Sequence, residues 1–327
     1  MHSHRSFLHL QYVCMSCVIS PCYSPPLPSE PLPPYLTAMK LRTLFLTAVL
    51  LLLPSLACSA DVDRPDLATL FTEHGVVGTF VVRTPEGIVR VNAARAAERF
   101  RPASTFKILN ALVALDCGVA FDTGKVLRWD GVKREVPLWN SDLSMNEAFR
   151  SSAVWYFVQI AKENGRERLG AAMREVGYGN ADATGSEQFW IDGPLRISAE
   201  EQVAWLDRLA RGAVPFAGRH RDMVARMMLL EEDEAGANAP AWRLLGKSGL
   251  AYRGGGPASE PGDGLGVVAD APVGWLVGWL ERGGVNYPYA LNIGPVGVAA
   301  GEVPGPEFAP ARLALVKAML RGLKLLP

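Results

Sequence analysis

Ser104 is the only serine in the chain with a lysine three positions on, Lys107. At i and i+3 of a helix the two side chains share one face and can reach each other. A serine hydroxyl is a poor nucleophile until a base takes its proton. Beyond residue 60 the chain has two histidines, His74 and His220, and neither has catalytic surroundings in the sequence. That argues against a Ser-His-Asp arrangement and makes a lysine-derived base the economical alternative. A helix N-terminus at Ser104 would add positive potential and free backbone N–H groups. Taken alone, the pair also fits an N-capping serine followed by a lysine that snorkels to water.

The elements around this pair can be read from periodicity. Val76–Asn92 is rich in β-branched residues and contains a Pro85-Glu86-Gly87 turn, so it predicts a strand hairpin. The helix opening at Ser104 is apolar nearly all round (Phe106, Ile108, Leu109, Leu112, Val113, Leu115), as befits the middle of a domain, and Gly118 stops it. Residues 119 to 240 read as mostly helical, with capping boxes at Ser144/Glu147 and Ser198/Glu201. After 240 the texture returns to strands. WRLLGKSGLAY is one, and VGWLVGWLE and NYPYALNIG form a hairpin about Gly283-Gly284. An amphipathic helix from about Pro310 to Leu323 closes the chain. The expected fold class is α+β: an antiparallel sheet flanked by N- and C-terminal helices, plus a mostly helical second lobe (about 119–240) inserted in the α/β lobe. A cleft between two such lobes is a natural place for a site.

Composition restricts the function classes. The chain carries 33 basic and 33 acidic side chains and is 49% hydrophobic, which suits a globular domain and favours neither nucleic acid nor an anionic membrane as partner. Residues 39–60, MKLRTLFLTAVLLLLPSLACSA, read as a secretory signal: Lys40 and Arg42, an apolar run from Leu44 to Leu53, then small residues to Ala60. The expected location is the periplasm, without stable membrane association. Residues 1–38 are expected to be an over-called upstream segment, and 61–327 the catalytic domain. Leu56-Ala57-Cys58 is faintly lipobox-like. Four of the five cysteines (Cys14, Cys17, Cys22, Cys58) precede Ala60, so Cys117 alone follows it and no internal disulfide is expected there. The lack of clustered histidines argues against a metal site.

Further motifs follow in order: Trp129-Asp130-Gly131, Ser152-Ala153-Val154, Tyr178-Gly179-Asn180, Phe189-Trp190-Ile191-Asp192-Gly193-Pro194, Lys247-Ser248-Gly249 and Gly274-Trp275-Leu276-Val277-Gly278-Trp279. Each is weak alone. As an ordered set, from about Gly78 to the C-terminal helix, they resemble the class D β-lactamases, or oxacillinases, within the penicillin-recognising serine enzymes.

The resemblance implies a β-lactam-hydrolysing enzyme of the β-lactamase/transpeptidase-like fold, with Ser104 as the acylated nucleophile. It implies that Lys107 is N6-carboxylated by CO2, with no other cofactor and no metal. Such a lysine must first be neutral, and an apolar wall of Phe106, Val154 and Ile191 would lower its pKa. The Trp190 indole N–H would then hold the carboxylate. Ser152 would link Ser104, Lys107 and Lys247, with a helix-capping role open beside it. Lys247 would supply positive charge near Ser152 and the substrate carboxylate. Ser248 and Arg312 would bind that carboxylate, although Arg312 also fits a plain surface arginine. Backbone N–H groups of Ser104 and Leu250 would form an oxyanion hole, and Gly249 would join Ser248, Leu250 and Arg312 in binding substrate. Tyr178, Gly179 and Asn180 read as support for the cleft wall, and Trp275 and Trp279 as core. The partners implied are β-lactams, to a monomer or homodimer.

Two departures stand out. Arg253–Gly266 is longer and richer in glycine and proline than the family leads one to expect, and is expected either to lie over the cleft or to be a surface insertion. Trp155 stands where a smaller residue is expected and would narrow the pocket. A sensor domain or DD-peptidase that is acylated without fast turnover remains the alternative function.

Overall fold

Period-two burial builds the central sheet. On the strand Pro272–Arg282, Val273, Trp275, Val277 and Trp279 join one hydrophobic cluster, while Leu276 and Leu280 join a second cluster across the sheet. A strand that is apolar on both faces belongs inside a two-sided sheet. The computed structural model describes residues 61–234, 241–252, 272–296 and 308–327. The expected upstream segment, the signal at 39–60 and the Arg253–Gly266 loop lie outside the described residues.

In chain order the elements are β1 (Val62–Asp63), α1 (Thr69–Glu73), β2 (Val76–Thr84), β3 (Gly87–Val91), α2 (Ala93–Ala97), a 3₁₀ turn (Ala103–Phe106) and α3 (Lys107–Asp116). Then come β4 (Val126–Leu127), β5 (Leu143–Ser144), α4 (Met145–Arg150), α5 (Val154–Asn164), α6 (Arg166–Glu175), α7 (Ala199–Ala210) and α8 (Gly218–Met228). The chain finishes with β6 (Leu229–Asp233), β7 (Trp242–Tyr252), β8 (Pro272–Arg282), β9 (Val285–Pro295) and α9 (Phe308–Gly322). The main sheet has the order β1-β3-β2-β9-β8-β7-β6, and every pairing except β1–β3 is antiparallel.

The expected α+β architecture is present. On one face of the sheet α1 and α9 pack through Phe71, Leu315, Val316, Met319 and Leu320. On the other face α7 lies across β2 and β9, and the cluster there continues without a break into the helical lobe. At the centre of that lobe is α3, whose residues from Lys107 to Leu115 are all buried. The capping boxes at Ser144/Glu147 and Ser198/Glu201 are formed and start α4 and α7.

The middle region is less uniformly helical than its sequence suggests. It contains the β4–β5 pair, and its last segment, β6, leaves the lobe to join the edge of the main sheet beside β7. Glu231, Glu232 and Asp233 on β6 are charges of the kind that protect an edge strand from further pairing, and they mask any strand alternation.

Candidate active site

Ser104 lies on a tight turn. The α-helix begins at Lys107, and Ser104 sits before it in the 3₁₀ segment, half-buried, with i to i+3 spacing kept. Ala103, just before it, has φ +47°, an uncommon conformation for a residue with a Cβ and one that persists only where surrounding contacts impose it. Those contacts are visible. The Ala103 N–H donates to the Trp190 carbonyl at 2.9 Å, and the Trp275 indole donates to the Arg101 carbonyl at 2.8 Å. The Thr105 hydroxyl donates to the Pro102 carbonyl at 2.8 Å and accepts from the Gln202 amide at 3.0 Å. Gln202 in turn accepts from the Trp205 indole at 2.8 Å.

Lys107 is completely buried, and its Nζ lies 2.6 Å from Ser104 Oγ, 3.0 Å from the Ser152 carbonyl and 3.3 Å from Ser152 Oγ. Burial holds this amine well below the ordinary lysine range, and repulsion from Lys247 adds to the effect. Lys247, on β7, donates to Ser152 Oγ at 3.0 Å and to the Ser248 carbonyl at 3.0 Å. Burial, assisted by Arg312, lowers it to about 7. Ser104, Lys107, Ser152 and Lys247 thus form a continuous chain of polar contacts across the cleft. A lysine near neutrality beside a hydroxyl can hold or release a proton at working pH.

Ser152 does not cap a helix. Helix α5 starts at Val154 without a side-chain cap, and the Ser152 hydroxyl turns to the two lysines instead. Its φ of +60° puts it in the left-handed region, a second strained position on the helical side of the site.

On the sheet side, Gly249 lets β7 run against the Ser104 turn. A Cβ there would lie 3.0 Å from the Pro102 carbonyl oxygen and 3.3 Å from the Ser104 nitrogen. Leu250 follows with its residue exposed, and Ser248 is half-buried. Arg312, in the first turns of α9, is not a surface arginine. It is 9% exposed, and its guanidinium donates to the Gly249 carbonyl at 2.6 Å, which ties it to the same strand. Burial pushes it down to about 10.

The wall expected around Lys107 is assembled in part. Phe106 and Trp190 are fully buried and stacked with ring centroids 5.3 Å apart. The Trp190 Nε1 is buried and has no hydrogen-bond partner among the described residues. A buried indole N–H left in that state is costly and suits an acceptor that completes the site. Val154 and Ile191 are half-buried and line a cavity of about 860 Å³ together with Trp139, Trp155 and Val158. Gly179, in Tyr178-Gly179-Asn180, has φ +53°, and a Cβ there would fall 1.9 Å from the Arg196 carbonyl oxygen. The motif is structural: it brings the chain of Arg196 against the turn after α6. Trp275 and Trp279 are core.

Reading the sequence missed the support beneath Ser104. Thr105 and Gln202 are 97 residues apart and carry no local signature, so only the folded chain joins them. Among the described residues no group of three or more His, Cys, Asp or Glu could hold a metal ion.

Residues 78–310 match the penicillin binding protein transpeptidase domain family. The chain is 35% identical to the β-lactamase OXA-3 of Pseudomonas aeruginosa over 81% of its length and 86% of that protein's. It is 31% identical to OXA-48 of Klebsiella pneumoniae over 88% of its length and 99% of that protein's. Among solved structures, the class D β-lactamase FUS-1 (OXA-85) of Fusobacterium nucleatum subsp. polymorphum superposes with a TM-score of 0.68 at 30% identity, covering 81% of this chain and 100% of that one. The class D β-lactamase YbXI of Nostoc gives 0.66 at 34% identity, covering 80% and 99%.

Proposed function

The chain belongs to the class D β-lactamases and is a serine β-lactamase, and from that premise we propose how its residues divide the reaction. Ser104 Oγ attacks the β-lactam carbonyl carbon while its proton leaves toward the Lys107 side chain. The carbonyl oxygen gathers negative charge between the backbone N–H groups of Ser104 and Leu250. One such donor is often worth ~3 kcal/mol. The C–N bond of the ring breaks, and its nitrogen takes a proton from Lys247 through the Ser152 hydroxyl. The substrate carboxylate is held by Ser248 Oγ, the Lys247 charge and Arg312. Water then cleaves the Ser104 ester, giving up its proton toward Lys107 and restoring the serine.

Lys107 is proposed to work as the N6-carboxylated lysine. The residues present fit that group: an amine that burial keeps from holding its charge can meet CO2, and the orphan Trp190 N–H is a donor for the carboxylate. Bound there, CO2 supplies an anionic base in a dry site. Phe106, fully buried, shields it on one side, and Val154 and Ile191 separate it from the cavity they line.

One observation carries the reading. Two buried lysines, both with lowered pKa, meet at a single hydroxyl, and one of them lies 2.6 Å from Ser104. The test is steady-state hydrolysis of nitrocefin and a small β-lactam panel with and without bicarbonate. Activity should fall when CO2 is stripped and return with bicarbonate; indifference to bicarbonate rejects the carboxylated lysine. A single stoichiometric burst in place of turnover would mark a sensor or DD-peptidase instead. The leader-like segment at 39–60 supports a periplasmic location, and among the described residues no helix is long and apolar enough to cross a membrane.

A further inference from the structure

The Ser151–Ser152 peptide sits at an awkward junction. Helix α4 ends at Arg150 and α5 begins at Val154, and between them Ser152 takes φ +60°. Nearby backbone bonds fix the nitrogens of this link: Ser151 N–H to the Glu147 carbonyl, Ser152 N–H to Phe149 and Ala153 N–H to Ala148. The Ser151 carbonyl is one of the orphan acceptors at a helix C-terminus and needs a donor from elsewhere. It receives one from the Trp139 indole at 2.9 Å.

Trp139 is also held from the other side of the junction. Its own carbonyl accepts from the Trp155 indole, in the first turn of α5, at 3.0 Å. The two tryptophans therefore span the Ser152 turn, from the end of one helix to the start of the next. Behind them the loop is closed on itself. The Arg134 guanidinium lies 5.5 Å from the Trp155 ring centroid and forms a two-pronged pair with Asp130, at 2.8 and 2.6 Å. The Arg134 N–H donates to Asn140 Oδ1 at 2.7 Å, and Asn140 Nδ2 donates back to the Arg134 carbonyl at 2.9 Å.

We propose that Trp139 and Trp155 are positioning residues, forming an indole brace that fixes the Ser151–Ser152 peptide and so aims the Ser152 hydroxyl and carbonyl at Lys107 and Lys247. The brace rests on the reading of Ser152 as the proton link. It gives the large residue at position 155 a purpose other than narrowing the pocket. Without the indole N–H the left-handed turn loses the contact that orients its leading carbonyl, and a small rotation there moves both Ser152 oxygens away from the Lys107 amine. Misplacement of this size is enough to slow chemistry by one or two orders of magnitude.

The test is a double-mutant cycle on nitrocefin hydrolysis. Trp139→Phe keeps the ring and removes the donor; it is measured in the wild-type and Ser152→Ala backgrounds. Trp139→Phe should lower kcat about ten-fold with little change in KM, and most of that loss should vanish once Ser152 is alanine, the remainder acting through the backbone carbonyl at 152. An equal loss in both backgrounds overturns the brace and leaves the role of Ser152 standing. Full turnover by Ser152→Ala removes Ser152 from the chemistry and overturns both. Should Trp139→Phe fail to fold, Trp155→Phe enters the same cycle under the same criterion, with an expected loss of about three-fold because it acts through Trp139.

Discussion

The cleft has two walls, and each buries a lysine, but they do so by different means. On the sheet wall Lys247 lies on a regular strand, in register with Val277 of β8, and its neighbours are placed by the ladder. On the helical wall Lys107 and Ser152 are placed by turns, with Ala103 and Ser152 in left-handed conformations. Neither lysine has a carboxylate within ion-pair distance among the described residues. After burial, the charge of Lys247 depresses Lys107, and that of Arg312 depresses Lys247. A strand thus delivers positive charge to a fixed address, whereas the strained turns deliver a hydroxyl and an amine to within hydrogen-bonding distance of each other. The difference matches the division of tasks in the proposed mechanism: binding and proton supply on the sheet, nucleophile and base on the helices.

The sharpest way to break that division is Lys107→Met. Nitrocefin turnover should fall on the order of 10⁴-fold. Thermal stability should rise, since an apolar chain replaces a desolvated amine. Steady-state kinetics and a melting curve check the two together; turnover that survives would hand the base role to Lys247.

Lys247→Met should cost less, about 10²-fold in kcat/KM. Its pH signature is distinctive. In the folded protein this amine titrates at about 7, against an ordinary value of 10.5. Between those values the unfolded chain holds the proton and the folded one does not, so the group makes stability rise with pH across that window. Below about 7 both states are protonated and the penalty of burying the charge is fully present. The melting temperature of the methionine variant should therefore gain less between pH 7 and 10 than that of the wild type.

Arg312→Gln is the mildest and most selective. In the proposed mechanism kcat/KM falls at low pH as the carboxylated Lys107 gives up CO2 and its amine is protonated, and at high pH as Lys247 loses its proton. Arg312 depresses Lys247 and is not among the causes that act on Lys107. Its removal should move the alkaline limb to higher pH, leave the acid limb in place, and lower kcat/KM about ten-fold through the lost carboxylate contact. A shift of both limbs would mean that Arg312 acts on Lys107 as well as on Lys247.

Much of this architecture could be read before folding, and the exceptions have physical causes. β7 covers the stretch WRLLGKSGLAY end to end, and the β8–β9 hairpin turns at Gly283-Gly284, because both strands are apolar on both faces and punctuated by glycine. Ser144 and Ser198 cap their helices because a capping box is wholly local. Ser152 looked capable of the same and does something else: its hydroxyl faces the two lysines, and no spacing rule connects it to Trp139, whose indole bonds the preceding Ser151 carbonyl. β6 escaped notice because its acidic residues carry the pattern of an edge and not of a core. The resemblance carried by the ordered motifs brought Ser104, Lys107, Ser152 and Lys247 together on paper. The distances among them, and the polar support from Thr105 and Gln202, needed the folded chain.

The hydrophobic cluster beneath the cleft has a mechanical consequence. It runs from α3 and α5 through Phe106 and Trp190 to Trp275, Val277 and Trp279 on the sheet, without a seam between the lobes. Two lobes that share one filling have no dry seam along which to part, so a single cooperative melting transition, with calorimetric and van't Hoff enthalpies equal, is the expected outcome of calorimetry.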